Sequence, residues 1–407
     1  MLRSRQATTS ALVSTTPMRI APGTKHSPAQ RSRNFPRPTG DTDMTTIANR
    51  LARRSVMAAM AALLTLPALA FQIEGTPKIA FIYGATARDG GWNEALDNAR
   101  LAVEENLGVS IATVESIPEE ATALKNAIDL FVGRGFNVIV GTTYGYSEGI
   151  LEAAAQHPSV AFVNASGATN AGNLEGFYTR TYQAWYLAGM AAAGASQTGK
   201  IGIVAGFPIG VVNWDVNAFA LGAQSINPEI ETTVIYTNSW WDPVAEGEVT
   251  KALLDEGNDV IGNNLSSAAP FIAAEEAGAK SIGFQLDMSR HAPNGHLTSV
   301  QFNWEEYLLP TLAALVEGTW EPSEWGAFPG MAEGTVGLTP LSDAVPADVR
   351  AQIEDRQAQI IAGTFEVFAG PVVAQDGTVK VAEGAVLDDG GLWSMDFLVK
   401  GVSGSVN

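Results

Sequence analysis

The sequence predicts an α/β protein with two doubly wound parallel-sheet lobes, on three observations. Short apolar, β-rich runs alternate with helical patterns, an order that specifies parallel sheets with helices on both faces. The alternation restarts near residue 200, and both halves open on a Lys-Ile strand, "KIAFIYGA" (78–85) and "KIGIVAGF" (200–207). The chain has 407 residues, 46% of them hydrophobic and 16% charged, enough apolar content for two domains.

The elements follow in order. Residues 1–43 are rich in Ser, Thr, Pro and Arg without a hydrophobic period, and read as a disordered or untranslated extension. Residues 44–70 read as a secretory signal peptide. Arg50, Arg53 and Arg54 form a basic start, an apolar run spans 56–66, and Ala68-Leu69-Ala70 supplies small residues for cleavage. That run is too short for a comfortable membrane span. Residues 1–70 carry 10 basic and 2 acidic side chains of the chain's 24 and 43, so the remainder holds 14 and 41, a net charge of −27. Such an acidic body argues against nucleic acid and anionic membranes as partners. The absence of cysteine excludes disulfides, thiolate metal sites and a cysteine nucleophile.

Lobe 1 is expected over 76–196, with part of 299–330 returning to it. Its strands are 78–85, 109–116, 137–143 and 160–166. Between them lie a helix with Trp92, Leu96, Ala99 and Val103 at helical spacing, one with Leu124, Ile128 and Phe131 on one face, and "YSEGILEAAAQHP". The small-residue helix 182–199 closes this lobe. Lobe 2 is expected over 200–297, with strands 200–207, 231–237, 259–264 and 280–287 and helices near 213–225, 244–256 and 268–278. A strand at 297–303 and a helix follow. The segment 331–407 reads as irregular, packing on the lobes or hinge.

Two such lobes place a cleft between the carboxyl ends of their sheets, where ligands bind. The residues after the strands are Asp89, Trp92 and Asn93; Tyr144 and Tyr146; Asn213, Trp214, Asp215 and Asn217; Trp240, Trp241 and Asp242; Asn264, Ser266 and Ser267; and Gln285, Asp287 and Arg290. Rings would sandwich a flat ligand while amides and carboxylates read its edge. Each residue also has a plainer role. Asp89 suits a turn, Trp214 suits the core, and Trp240-Trp241-Asp242-Pro243 suits a hydrophobic staple with an N-cap. Catalytic patterns are weak: there is no P-loop and no Gly-x-Gly-x-x-Gly after a strand. "GASQTG" follows a helix, not the strand a nucleophile elbow requires. His291 and His296 suit neither a metal pair nor a triad base.

"DGGWNEALDNAR", "GTTYGYSEGILEAAAQHPSVAFVNASG", "YLAGMAAAGASQTGKIGIVAGFPIG" and "NSWWDPVAEGEVTKALLDEGNDVIG" together resemble the basic membrane protein (BMP) family of ABC-importer substrate-binding proteins. The resemblance implies a type I periplasmic-binding fold, closure about a hinge, and purine nucleosides or nucleobases as ligands. By position, its ligand contacts fall on Asp89, Trp92, Asn93, Tyr144 or Tyr146, Trp214, Asn217 and Asp287. The chain departs from the close subgroup at Leu96, at Asn264 and Ser266, and at Phe302, positions expected to line the cleft. Without the lipid-bearing cysteine of many members, it is expected free in the periplasm, as a monomer without cofactor or metal. ABC permease and ATPase subunits are the expected partners. A sensor of the same fold and a nucleoside-acting enzyme are the alternatives.

Overall fold

The computed structural model describes residues 71–167 and 169–406. The expected extension and signal peptide lie outside them. Strands β1 (Ile79–Ile82), β2 (Ile111–Val114), β3 (Val138–Gly141), β4 (Ala161–Ala165) and β5 (Leu174–Phe177) form an all-parallel sheet in the order β2-β1-β3-β4-β5. Its helices are α1 (Trp92–Leu107), α2 (Ala121–Gly133) and α3 (Ser147–Gln156). Every residue of β1 and β3 is buried, as helices on both faces require. On α2, Leu124, Ile128 and Phe131 turn inward together, the apolar face read from the sequence.

Helix α4 (Thr181–Ala195) leads to the second sheet. That sheet holds β6 (Lys200–Ala205), β7 (Glu231–Tyr236), β8 (Val260–Asn263), β9 (Lys280–Gln285) and β10 (His296–Phe302). Its helices are α5 (Gly210–Ile226), α6 (Pro243–Asp255) and α7 (Ala269–Glu276). Helix α8 (Glu305–Glu317) follows β10 and packs back on α1 of the first lobe. Antiparallel β11 (Val336–Leu338) closes one edge, and parallel β14 (Val402–Ser403) closes the other beside β7.

Two sequence expectations are corrected here. Helix α4, assigned to the first lobe, packs on α5 and the second sheet. Trp185 sits 5.4 Å from Phe284 of β9 and 5.7 Å from Phe219 of α5, ring centre to ring centre. The crossing is close because α5 presents Gly222 there; a Cβ at this position would lie 1.8 Å from the Tyr186 carbonyl oxygen. The tail is not irregular throughout. It contains α9 (Ala347–Ile361), whose Val349, Ile353 and Ile360 are buried, a ribbon of β12 (Val372–Val373) and β13 (Val379–Val381), and the short α10 (Asp389–Trp393).

The chain passes between the sheets three times, after β5, after β10 and before β11. The three passes are bonded side by side. The Tyr178 N–H donates to the Ala327 carbonyl at 3.0 Å, and the Asn303 N–H donates to that of Thr335 at 3.0 Å. The Thr179 and Thr335 hydroxyls meet at 2.7 Å. These passes form the hinge.

Candidate functional site

Strand order places the site. In the first sheet the chain leaves β1 to one side for β2, then crosses to β3. In the second it leaves β6 for β7, then crosses to β8. The carboxyl ends of β1/β3 and β6/β8 are therefore the switch points where crevices form. The loops after these four strands converge on a cavity of about 690 Å³, with walls from both lobes. That size falls in the range of about 300–1,000 Å³ usual for small-molecule sites.

The first-lobe wall is the turn from β1 into α1. Asp89 Oδ1 accepts the N–H groups of Gly91 and Glu94 at 2.9 and 3.1 Å, and Oδ2 accepts the Asn93 N–H at 3.0 Å and its Nδ2 at 2.9 Å. Asp89 thus satisfies the open N–H groups at the start of α1 while fixing Asn93 in the wall. Asn93 also accepts from the Thr142 hydroxyl at 3.2 Å. Trp92 donates from Nε1 to the Thr142 carbonyl at 2.5 Å. Its ring stacks on Tyr178 of the hinge at 6.1 Å and meets Phe302 and Trp304 edge-on at 5.5 and 5.7 Å. The indole joins the cavity wall to an aromatic hinge cluster. Tyr144, after β3, also lines the cavity and is exposed.

The second-lobe wall holds Val211, Val212 and Asp215 of α5, Trp240 and Trp241 before α6, Asn264 and Ser266 after β8, and Phe284 and Gln285 closing β9. Asp215 is 1% exposed; it accepts the Thr181 hydroxyl at 2.5 Å and Asn264 Nδ2 at 2.9 Å. Burial without a neighbouring cation raises its carboxyl well above the usual carboxylate range, against those two hydrogen bonds. Burial, and then the Asp215 charge, hold the Tyr178 hydroxyl protonated well past its ordinary value. Ser116, Ser166 and Gln285 line the cavity in left-handed backbone conformations, at φ of 58°, 57° and 74°. Backbone of this kind clusters at functional sites.

Of the residues expected from sequence, Asp89, Trp92, Asn93, Tyr144, Trp240, Asn264 and Ser266 share this cavity. Four lie elsewhere. Tyr146 is fully buried under the β3 loop, donating to the Ile117 carbonyl at 2.5 Å. Trp214 is fully buried toward the hinge, its Nε1 donating to the Thr181 hydroxyl at 2.9 Å, because the helix that aims Asp215 at the cavity turns its neighbour away. Asn217 ties α5 to the tail, donating to the Phe397 carbonyl and accepting the Val399 N–H, both at 2.8 Å. Asp287 lies two residues past β9, exposed, accepting the Ser289 N–H at 2.9 Å. Of the positions where the chain departs from the close subgroup, Leu96 and Phe302 are core residues, while Asn264 and Ser266 are in the wall. Asp215 and Gln285 were visible as strand-end polar residues but not singled out. Tyr178 had no sequence signal, because β5 is short and carries Glu175 and Gly176.

A catalytic reading finds one suggestive pair. His296 Nε2 lies 2.8 Å from the Ser299 hydroxyl. Ser299 is fully buried, accepts the Met288 N–H at 3.1 Å, and does not line the cavity, so no substrate reaches it there. No group of His, Asp or Glu suited to hold a metal ion occurs among the described residues.

Two parallel-sheet lobes, three hinge passes and a cavity between them define a two-lobed ligand-binding protein. The chain belongs to the family described as ABC transporter substrate-binding protein PnrA-like (Bmp), whose sequence model matches residues 76–369. It is 35% identical over 329 residues to a purine-binding protein of Brucella abortus, covering 80% of this chain and 92% of that one. A Haloferax volcanii protein named as a glucose-binding protein of an ABC transporter is 34% identical, over 72% of this chain and 75% of its own length. In fold, the chain is similar to the crystal structure of an ABC transporter solute-binding protein of Aeropyrum pernix, with a TM-score of 0.63 and 20% identity over 70% of this chain and 92% of that one. The family is one of substrate-binding proteins rather than enzymes. Its members act outside the cytoplasm with a small-molecule ligand and a permease as partners. Among the described residues, no helix is long and apolar enough to cross a membrane.

Proposed function

We propose that this substrate-binding protein captures a planar, purine-like base or nucleoside in the interlobe cavity, in the periplasm, and hands it to ABC permease and ATPase subunits. The observation that carries this reading is the wall itself. Tyr144 on one lobe and Trp240 and Trp241 on the other offer accessible ring faces, and Asn93, Asp215, Asn264 and Gln285 offer donors and acceptors to a ring edge. A purine presents those two aspects, faces that stack and an edge that hydrogen-bonds. The likeness to a purine-binding protein over most of both chains supports it. Closure follows if a ligand touching both walls favours the state in which they meet.

A sugar is the second reading, favoured by the comparable likeness to a protein named as glucose-binding. Calorimetric titration with adenine, hypoxanthine and glucose separates the two. Saturable binding of a purine is expected, weakened on the order of tenfold by Trp240→Ala through loss of one stacking face. Binding of glucose with no heat from either purine would replace this reading with the second.

A further inference from the structure

We propose that Asp215 is a positioning residue that sets the polarity of the capture site: it holds the Asn264 amide with its nitrogen turned away from the cavity and its carbonyl toward it, so that the second-lobe wall accepts from an N–H group of the ligand. The inference rests on the cavity holding a purine-like ligand, and adds which kind of edge that ligand turns to Asn264.

The direction of each hydrogen bond behind Asn264 follows from the far end of the chain of contacts. An indole N–H donates and cannot accept. Trp214 Nε1 donates to the Thr181 hydroxyl oxygen at 2.9 Å. The Thr181 proton is thereby left for Asp215 Oδ1, 2.5 Å away. Asp215 Oδ2 accepts from Asn264 Nδ2 at 2.9 Å. A carboxylate only accepts, so the amide cannot turn round while Asp215 is charged. The Asn264 backbone is pinned as well, its N–H donating to the Val204 carbonyl at 2.8 Å. What remains is the Asn264 side-chain carbonyl. Among the described residues none donates to it, it is not sealed from solvent, and its residue lines the cavity. Thr181 opens α4, Trp214 and Asp215 lie on α5, and Asn264 follows β8, so the relay is complete within the second lobe.

The same chain of contacts says how the wall is reversed. In Asp215→Asn the new amide keeps its carbonyl on the Thr181 hydroxyl and turns its NH2 to Asn264, which must then accept. Asn264 rotates and presents N–H groups to the cavity. A proton on Asp215 has the same effect, since Thr181 engages Oδ1 and leaves Oδ2 to carry it. Burial brings that proton on at a higher pH than for an ordinary carboxylate. Tyr178 is the titratable neighbour of Asp215, and Arg88, Asp89 and Glu119 are the charged groups of the opposite wall. A ligand hydroxyl can donate or accept and is indifferent to the reversal. A ring amino group is not.

Adenine and 6-methoxypurine differ at one ring position, an amino donor against an ether acceptor. Calorimetric titration of both, at the alkaline end of the range in which the protein stays folded, is expected to favour adenine on the order of tenfold in the unmodified protein. Asp215→Asn is expected to lower that ratio on the order of tenfold. Lowering the pH should move the unmodified protein toward the variant's ratio, while the variant's own ratio stays flat. In an Asn264→Ala background, Asp215→Asn should leave the ratio unchanged, which a merely structural role of Asp215 does not require. Without ligand, the Asn264 side-chain amide protons should exchange slowly with solvent in the unmodified protein and freely in Asp215→Asn, as read by nuclear magnetic resonance. An adenine preference that survives Asp215→Asn, or one that shifts equally without the Asn264 side chain, overturns the proposal. If neither purine binds, the purine reading falls, and the amide-exchange comparison alone upholds or overturns the role of Asp215.

Discussion

At the scale of single residues, the site is a set of polar groups held by other protein groups before any ligand arrives. Asp89 spends its oxygens on the start of α1 and thereby fixes Asn93. Asp215 holds Asn264 and is held by Thr181. Its raised carboxyl has a measurable consequence. The folded chain binds this proton more tightly than the unfolded chain does. Its contribution to stability is therefore full below the ordinary carboxylate range and is lost as pH rises toward the raised folded value. Asp215→Asn, which fixes a neutral side chain there, should lose that dependence. The melting temperature of the native protein is then expected to fall relative to Asp215→Asn as pH climbs through that window, in parallel thermal melts. Equal slopes would show that Asp215 does not titrate there. Residue roles were only partly legible in the sequence. Trp214, Asp215 and Asn217 are near neighbours on one helix, yet the helix sends them to the hinge, the cavity and the tail respectively. Strand-end position identifies the segment, and helical phase decides which member faces the cavity.

At the scale of elements, the sequence reveals central strands such as β1 and β3, buried on both faces with continuous apolar runs, and also the partly exposed β2 and β7, which are rich in β-branched residues. β1 to β4 and β6 to β9 fall within expected runs, and β10 begins one residue before its run. β5 was missed because Glu175 and Gly176 interrupt it; the buried Glu175 accepts the Ser323 N–H at 2.6 Å and the hydroxyl of Tyr307 of α8 at 2.5 Å. That partner lies 132 residues away, beyond any local pattern. Helix α9 was legible in principle. Pro346 precedes it, and Val349, Ile353 and Ile360 keep one face. The misplacement of α4 has a different cause. A helix of small residues carries almost no directional pattern, and its lobe is set by how closely another helix approaches. The approach at Gly222 is therefore a sensitive point. Gly222→Ala should destabilise the protein by about 1–3 kcal/mol or more, because the methyl group meets backbone rather than a movable side chain. A chemical-denaturation midpoint indistinguishable from that of the parent would show that the helices separate freely.

At the scale of the whole molecule, one architecture serves both stability and capture. Each sheet is sealed by its own helices, and α8 returns to the first lobe and locks the crossing after β10. The lobes are thus internally rigid, while three bonded passes and an aromatic cluster around Tyr178 and Trp304 occupy the space between them. The cavity needs both lobes, so neither half carries a complete site. Repeated β-α order made this two-lobed plan readable from sequence. The contact of Gly91 with Ser266 and Gln285 was not readable, since it joins residues about 175 and 194 positions apart across the cavity. The central claim, that this space holds a purine-like ligand, is tested most directly by purifying the protein without added ligand, denaturing it, and identifying the released small molecule by mass spectrometry. The account predicts a purine base or nucleoside, released chemically unchanged and in near-stoichiometric amount. A hexose recovered in its place would contradict it.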